Sequence, residues 1–134
     1  MDPILTTLSV LFFILIIFGL FENYYHQKAL SNIPIRIHVN GTRGKSSVTR
    51  LIAAGLRGGK LKTFAKTTGT TPRIINEHGK DVEIHRLRSA SIGEQVKLIR
   101  YFSSKKPDAL VIECMAVNPQ YQWVSEQSIV KSTI

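Results

Sequence analysis

The segment from residue 40 to residue 47, Asn-Gly-Thr-Arg-Gly-Lys-Ser-Ser, constrains the fold of this chain more than any other. Apolar residues at Ile35, Ile37 and Val39 precede it at the spacing of a strand, and a helical pattern follows it. Gly, Lys and Ser in that order between a strand and a helix are typical of a loop that binds phosphate. The segment therefore predicts an α/β fold with an anion site after its first strand.

Each residue type in this loop has a physical role in phosphate binding. Gly41 and Gly44 allow the backbone to turn sharply with its N–H groups pointing inward, and the following helix adds the positive end of its dipole. Lys45 can place an ammonium near the outer phosphates of a nucleotide, and the hydroxyl of Ser46 can hold Mg²⁺. The motif G-x-x-x-x-G-K-[ST] would require Gly where Val39 stands, so this loop is shorter or differently shaped. A glycine-rich turn with a solvated lysine remains the alternative interpretation.

An apolar stretch without a charged residue occupies residues 4–21. As a helix, these 18 residues would cross most of a ~30 Å hydrocarbon core. Every Lys and Arg follows the stretch and only Asp2 precedes it as a charged side chain, so the positive-inside tendency puts the C-terminal part in the cytoplasm. A cleaved signal peptide is the competing interpretation, but the stretch has no basic residue before it and no small-residue cleavage site before Glu22. We expect a single-pass membrane anchor at 4–21 and a juxtamembrane linker at 22–33.

The remaining sequence predicts alternating strands and helices over residues 34–134. Strand, helix and strand in succession imply a parallel βαβ unit, so we expect a mostly parallel sheet with flanking helices. The predicted elements are a helix from residue 46 or 47 to 58, a strand within 61–67, a hairpin of 74–75 with 82–84, a helix capped by Ser91 and a strand at 108–113. We expect the first of these helices to bury the face formed by Val48, Leu51, Ile52 and Gly55.

Glu113 is the residue that we expect to work with the phosphate loop. It stands at the carboxyl end of a predicted buried strand, and ligands bind at that end in open α/β sheets. Its carboxylate could hold the same Mg²⁺ as Ser46. Thr68 and Thr70 could add hydroxyl oxygens, with Gly69 allowing close approach. The alternatives are a surface acid at a strand end and a plain threonine-rich turn.

The composition narrows the partners less than the loop does. Lys and Arg outnumber Asp and Glu by 18 to 9, and the resulting charge of +9 would suit nucleic acid, anionic lipid or a polyanionic substrate. The single Cys114 excludes a disulfide within the chain. The four histidines show no metal-ligand spacing, so we assign them no role.

Several motifs resemble a known group of ligases. Gly-Thr-Arg-Gly-Lys-Ser at 41–46 is similar to the Gly-Thr-Asn-Gly-Lys-Thr loop of the Mur ligase and folylpolyglutamate synthase superfamily. A closer resemblance is to the B subunits of bacterial poly-gamma-glutamate synthases, the capsule-forming amide ligases. Four segments resemble theirs in the same order, at 40–50, 66–70, 92–95 and 113–122, and the N-terminal apolar stretch agrees with a membrane protein of this kind.

The resemblance implies an ATP-dependent amide ligase that polymerises glutamate through an acyl phosphate, with ATP and Mg²⁺ as cofactors. At the matching positions the resemblance implies that Lys45 and Arg43 are catalytic and that Ser46, Glu113 and Thr70 bind the metal. The implied nucleotide-binding residues are Asn40, Gly41, Thr42, Arg43, Gly44, Lys45, Ser46 and Ser47. The implied partners are glutamate, the growing polymer, other membrane subunits of the synthase and the membrane itself, with no nucleic acid.

The chain also departs from this family. Thr71, Pro72 and Arg73 stand where the family usually has Asp-Ala-Arg, and the family's later parts, including its C-terminal domain, do not follow. We therefore expect residues 34–134 to be the N-terminal part of the ATP-binding ligase domain. The rival hypotheses are a membrane-anchored P-loop NTPase or kinase of other specificity, and a non-catalytic fragment that binds a membrane or nucleic acid through its positive charge.

Overall fold

The computed structural model of the chain describes residues 2–69, 71–84, 92–115 and 119–134, apart from the side chains of Ile92 and Tyr121. Within these ranges the chain forms four α-helices, a π-helical segment and five strands. In chain order they are α1 (Pro3–Ser31), β1 (Ile35–Val39), α2 (Lys45–Gly58), β2 (Thr63–Thr67), β3 (Arg73–Ile75), β4 (Asp81–Glu83), α3 (Ile92–Ser104), β5 (Ala109–Glu113), α4 (Pro119–Val124) and the π segment (Ser125–Val130). The predicted strands and the two predicted helices of the domain are confirmed. The cap predicted at Ser91 lies outside the described residues.

The five strands form one mixed sheet in the order β1-β5-β2-β3-β4. The strands β1 and β2 pair with β5 in parallel, whereas β3 pairs with β2 and β4 pairs with β3 in antiparallel fashion. The predicted parallel βαβ unit is therefore confirmed, with β5 between β1 and β2, whereas the sheet as a whole is mixed rather than mostly parallel. The physical reason is the short connection at 68–72, because a few residues can join neighbouring strands only in antiparallel fashion, whereas a parallel pair needs a long crossover.

Alternation along the central strands directs side chains to two separate cores. On one face of the sheet, α2 packs through Ala53 against Val39, Ala65 and Val111. The opposite face is covered by the end of α1, by α3 and by the π segment. The buried residues of that larger core are Ala29, Leu30, Ile33, Phe64, Ile99, Phe102, Leu110, Ile112, Ile129 and Val130.

Helix α2 buries a different face from the one predicted. Thr49 and Ala53 are buried, whereas Leu51 is 72% exposed. Ser46, Thr49 and Ala53 recur at spacings of three and four residues and so lie on one side of the helix. Because Ser46 is hydrogen-bonded to the sheet through Glu113, the same side of the helix must face inward, and the apolar pattern around Leu51 faces outward.

Helix α1 is one continuous helix that extends the predicted anchor into the domain. It is long and apolar enough to cross a membrane, and it is the one helix of this kind among the described residues. The segment predicted as a linker at 22–33 is helical as far as Ser31. There His26, Ala29 and Leu30 are buried against the domain, and Glu22 forms an ion pair of 2.9 Å with Arg100 of α3.

The last residues of the chain run along the outer edge of β1. The N–H of Thr133 donates to the Arg36 carbonyl at 2.7 Å, and the N–H of His38 donates to the Ile134 carbonyl at 3.4 Å. The Arg36 guanidinium donates from Nε to the carbonyls of Val130 and Lys131 at 3.0 and 2.9 Å. These contacts fix the π segment and the residues after it against the first strand.

Candidate functional site

The loop between β1 and α2 leaves the start of the helix open to an anion. Gly44, immediately before the first helical residue, has φ 75° and ψ 5°, in the left-handed region that favours glycine. Glycine has no side chain that could accept the first N–H groups of the helix, and the cap makes no side-chain hydrogen bond. Gly41 also has a positive φ of 148°. The N–H groups at the start of α2 therefore face the loop with the positive end of the helix dipole behind them.

Lys45 is held against its own loop. Its Nζ donates to the Gly41 carbonyl at 2.8 Å, and the Gly41 N–H donates to Asn40 Oδ1 at 2.8 Å. Asn40 Nδ2 in turn donates to Gln122 Oε1 of α4 at 3.3 Å. The lysine is thus kept beside the open helix terminus, where a phosphate group would compete with one neutral carbonyl for its ammonium.

The side chain of Glu113, at the end of β5, contacts the side chain of Ser46, in the first turn of α2. Glu113 ends β5 directly opposite Val39, the last residue of β1, so its carboxylate lies beside the phosphate loop. Ser46 Oγ donates to Glu113 Oε2 at 2.7 Å, and the Thr68 N–H donates to the same oxygen at 2.8 Å. Glu113 is only 4% exposed. The structure therefore brings together the serine and the carboxylate that the sequence predicted.

The turn after β2 lies against the site next to Ser46. A Cβ atom added to Gly69 would lie 3.5 Å from Ser46 Oγ, so this turn passes directly over the serine. The Thr68 hydroxyl donates to the Cys114 carbonyl at 3.5 Å, a long contact. Thr70, the third metal ligand implied by the resemblance, lies outside the described residues. The loop after β1, the turn at Thr68 and Gly69, and the end of β5 thus meet at the carboxyl edge of the sheet.

The oxygen atoms of this site suit Mg²⁺. A serine hydroxyl and a carboxylate are hard oxygen donors, and Mg²⁺ prefers such donors while keeping several waters or phosphate oxygens. In the described part of the chain, no group of three or more His, Cys, Asp and Glu side chains could hold a metal ion. Ser46 and Glu113 would therefore supply only part of a coordination shell, which the nucleotide phosphates and water would complete.

The other predicted nucleotide-binding residues lie on the outside of the loop. Thr42 and Arg43 are exposed in the loop, and Ser47 is exposed in the first turn of α2. Their side chains take no part in the hydrogen bonds that join Lys45, Ser46 and Glu113 to the surrounding loops. The structure thus leaves Arg43 free to extend toward solvent at the rim of the site.

Sequence reasoning missed two parts of this region. Gln122 supports the loop through Asn40, and the only signal was its position in the last of the four matched segments. His38, to which we assigned no role, is buried on the opposite face of the sheet, where its Nδ1 lies 2.7 Å from Glu126 Oε2. No local sequence pattern relates His38 to Glu126, because 88 positions separate them.

Cys114, which follows Glu113, is a buried free thiol. Burial raises the pKa of this thiol, and the nearby Lys45 ammonium opposes that effect only in part. The thiol is therefore kept neutral beside the site, and its reactivity as a nucleophile is low.

Two curated relatives match most of this chain. One is the capsule biosynthesis protein CapB of Bacillus anthracis, 40% identical over 123 residues, and the other is the PGA synthase CapB of Bacillus subtilis (strain 168), 37% identical over 123 residues. Both matches cover 90% of this chain, but only 26% of the first relative and 31% of the second. The chain thus spans about a quarter to a third of the length of these relatives. No family model matches the chain, and no solved structure matches it.

Proposed function

We propose that this chain supplies the ATP-binding part of an amide ligase that joins glutamate through γ-amide bonds into a capsule polymer, as in the Mur ligase and folylpolyglutamate synthase superfamily. The similarity to two CapB proteins, one named for capsule biosynthesis and the other a PGA synthase, supports a role in the synthesis of this polymer. The observation that carries the ATP-binding role is the 2.7 Å contact of Ser46 with Glu113 at the open start of α2. Ser46 follows the loop lysine, and Glu113 ends the strand beside the loop.

Each residue of the site has a distinct task in this proposal. The N–H groups at the start of α2 and the Lys45 ammonium neutralise phosphate charge, which is the main requirement of phosphoryl transfer. Ser46 and Glu113 hold Mg²⁺, and the Thr68 N–H fixes the carboxylate toward the serine. Arg43 adds positive charge at the rim. Bound Mg·ATP supplies the γ-phosphoryl group that activates a glutamate carboxylate for attack by an amine.

The proposal includes a membrane location. Residues 4–21 of α1 would span the bilayer once, with the domain in the cytoplasm and with the growing polymer and other membrane subunits as partners. This placement is supported by the length and apolar character of α1 and by the absence of Lys and Arg before Lys28.

The test is nucleotide binding by the Lys45→Ala variant. We expect the affinity for a Mg²⁺ complex of a non-hydrolysable ATP analogue to fall at least tenfold, because the variant loses a charge-assisted contact worth about 1.5–3 kcal/mol. Lys97→Ala, which removes an exposed lysine from α3 on the other face of the sheet, is the matched control.

The outcomes separate the binding role from the ligase role. Equal affinity for the two lysine variants would refute nucleotide binding by this loop. If Lys45→Ala abolishes binding, ADP release by the assembled synthase in membranes tests the reaction itself. Release that does not respond to glutamate would favour an NTPase or kinase over a ligase.

A further inference from the structure

We propose that the carboxyl edge of the sheet, which carries the phosphate loop, faces the bilayer, and that Trp123 at this edge contacts the lipid headgroup layer. The proposal rests on the membrane anchor of the proposed function and is independent of its ATP-binding and ligase parts. Its partner is the surface of the membrane that α1 spans.

The turn between α1 and β1 sets the direction in which α1 leaves the domain. The helix ends at Ser31 and the strand begins at Ile35, so three residues connect them. The Arg36 Nη1 donates to the carbonyls of Leu30 and Ile33 at 3.1 and 2.6 Å, which closes this turn. Since Leu30 is also buried in the core on the sheet face, we infer that the chain reverses here and that α1 runs roughly antiparallel to β1. The N-terminal end of α1 therefore points toward the carboxyl edge.

Contacts between α1 and α3 lead to the same direction independently. Helix α3 ends at Ser104 and β5 begins at Ala109, so α3 also runs antiparallel to the parallel strands. Glu22 contacts Arg100 at 2.9 Å, and Asn32 Nδ2 donates to Ser103 Oγ at 3.1 Å. Glu22 thus meets the earlier residue of α3, and Asn32, which follows α1, meets the later one, so that the two helices run in the same general direction.

The lengths of the elements place the end of the anchor and the phosphate loop at a similar height. From Phe21 to Ser31, a helix rises about 15 Å at 1.5 Å per residue. The five residues of β1 rise about 16 Å in the opposite direction. With α1 antiparallel to β1, the loop that follows Val39 lies close to the level at which α1 enters the hydrocarbon core.

Trp123 lies at this edge with most of its side chain exposed. It is 67% exposed on α4, the helix that follows the carboxyl end of β5. The neighbouring Gln122 is hydrogen-bonded to Asn40 of the phosphate loop. Tryptophan is enriched at the interface between membrane and water, where its ring meets apolar groups and its N–H stays hydrated. An exposed indole beside the loop thus has a partner that matches its chemistry.

Charge at the same edge agrees with a bilayer surface. Arg43 lies exposed on the loop at this edge, whereas Lys45 donates to the Gly41 carbonyl within the loop. Basic side chains near the cytoplasmic leaflet gain roughly 1 kcal/mol each from anionic lipids. An edge with an exposed indole and an exposed guanidinium therefore suits contact with anionic headgroups.

The experiment uses Trp123 as a probe, because it is the only tryptophan of the chain. The whole chain is reconstituted in vesicles of phosphatidylcholine and phosphatidylglycerol, with or without lipids brominated close to the headgroup. We expect brominated lipids to remove the larger part of the Trp123 fluorescence and to shift its emission to shorter wavelength relative to the detergent-solubilised chain.

The control moves the probe to the other edge of the sheet. In the double variant Trp123→Phe and Lys105→Trp, the indole lies between α3 and β5, near the amino ends of the parallel strands, where Lys105 is exposed. We expect aqueous acrylamide to quench this indole strongly and brominated lipid to have little effect. Equal quenching of the two probes by brominated lipid would overturn the orientation.

Two further results would contradict the proposal, and they differ from a failure of nucleotide binding. Trp123 fluorescence that responds to acrylamide but not to brominated lipid would place this edge away from the bilayer. A chain that does not float with the vesicles in a density gradient would remove the anchor and this proposal together. Neither result would change the expected effect of Lys45→Ala on nucleotide affinity.

Discussion

Replacing Glu113 by Gln separates a metal ligand from an ordinary hydrogen-bond acceptor. In the structure Glu113 Oε2 accepts hydrogen bonds from Ser46 Oγ at 2.7 Å and from the Thr68 N–H at 2.8 Å. A carboxamide has nearly the same shape and keeps one acceptor oxygen, so both donors retain a partner. The substitution removes the negative charge that would favour Mg²⁺.

The cost to folding follows from these two bonds. A hydrogen bond to a charged group contributes about 1.5–3 kcal/mol, and a neutral one about 0.5–1.5 kcal/mol. Weakening two bonds by about 1 kcal/mol each gives a loss of at most about 2 kcal/mol, because burying a neutral amide costs less than burying a carboxylate. Domains of ordinary stability, about 5–15 kcal/mol, remain folded after such a loss.

Glu113→Gln should also reduce the Mg²⁺-dependent part of nucleotide binding. If Glu113 serves the metal, Mg²⁺ should raise the affinity of the wild-type chain for an ATP analogue, and Glu113→Gln should reduce this enhancement about tenfold. A tenfold change corresponds to about 1.4 kcal/mol, which is the scale of one charge-assisted contact. Titration of a fluorescent ATP analogue in Mg²⁺ and in EDTA measures the enhancement, and urea unfolding measures stability.

Glu83→Gln is the matched control, because Glu83 also ends a strand but is exposed at the edge of the sheet. We expect this variant to keep both its stability and its response to Mg²⁺. If Glu113→Gln loses stability but keeps the wild-type enhancement by Mg²⁺, Glu113 is a structural acceptor only and the assignment of the metal site is wrong.

Two other predictions concern the loop and the opposite face of the sheet. Gly44→Ala should destabilise the chain by about 1–2 kcal/mol in urea unfolding, because φ is 75° at this position. Gly55→Ala inside α2, with no atom near the added Cβ, should instead stabilise the chain by about 0.5–1 kcal/mol. Stability changes of the same sign for the two variants would contradict this account. Burial tends to raise the pKa of Glu126, but hydrogen bonds from Ser132 and His38 outweigh this effect and lower the pKa. The Glu126 carboxylate therefore stabilises the fold at pH values above the unfolded-state pKa of about 4.3. This contribution disappears as the pH falls through the lower folded-state pKa. Since Glu126 remains 35% exposed, Glu126→Gln should cost only about 1 kcal/mol at pH 7 and less at pH 3, and an equal cost at both pH values would show that its charge is unimportant.

The part of the site that local sequence signals define could be predicted. The glycines, Lys45 and Ser46 are consecutive in a loop whose flanking strand and helix have clear periodicities, and Glu113 ends a continuous apolar strand. Because the carboxyl ends of parallel strands share one edge of a sheet, the carboxylate was expected beside the loop, and the register of Val39 with Glu113 confirms it.

Features that depend on distant contacts could not be predicted in this way. The buried face of α2 is set by the bond of Ser46 to a residue 67 positions away, which overrides the apolar pattern around Leu51. The sheet is mixed because a hairpin with a tight turn at Gly79 joins the free edge of β2, and hairpin signals do not specify the sheet to which the hairpin attaches. The helical continuation of α1 to Ser31 likewise depends on burial of Ala29 and Leu30 against the domain.

The hydrogen bond of Ser46 to Glu113 bears on how the site would receive a metal. A serine hydroxyl has one proton and two lone pairs, so Ser46 can keep donating to Glu113 while a lone pair turns toward an ion. The Thr68 N–H holds the carboxylate at the same time, which leaves few rotations to be lost on binding. The main change on phosphate binding is then expected at Lys45, whose Nζ donates one N–H to the Gly41 carbonyl and has two further N–H donors for a phosphate. In the proposed site, Ser46 and Glu113 would form a fixed metal side and Lys45 a movable cationic side, and Glu113→Gln and Lys45→Ala test these two sides separately.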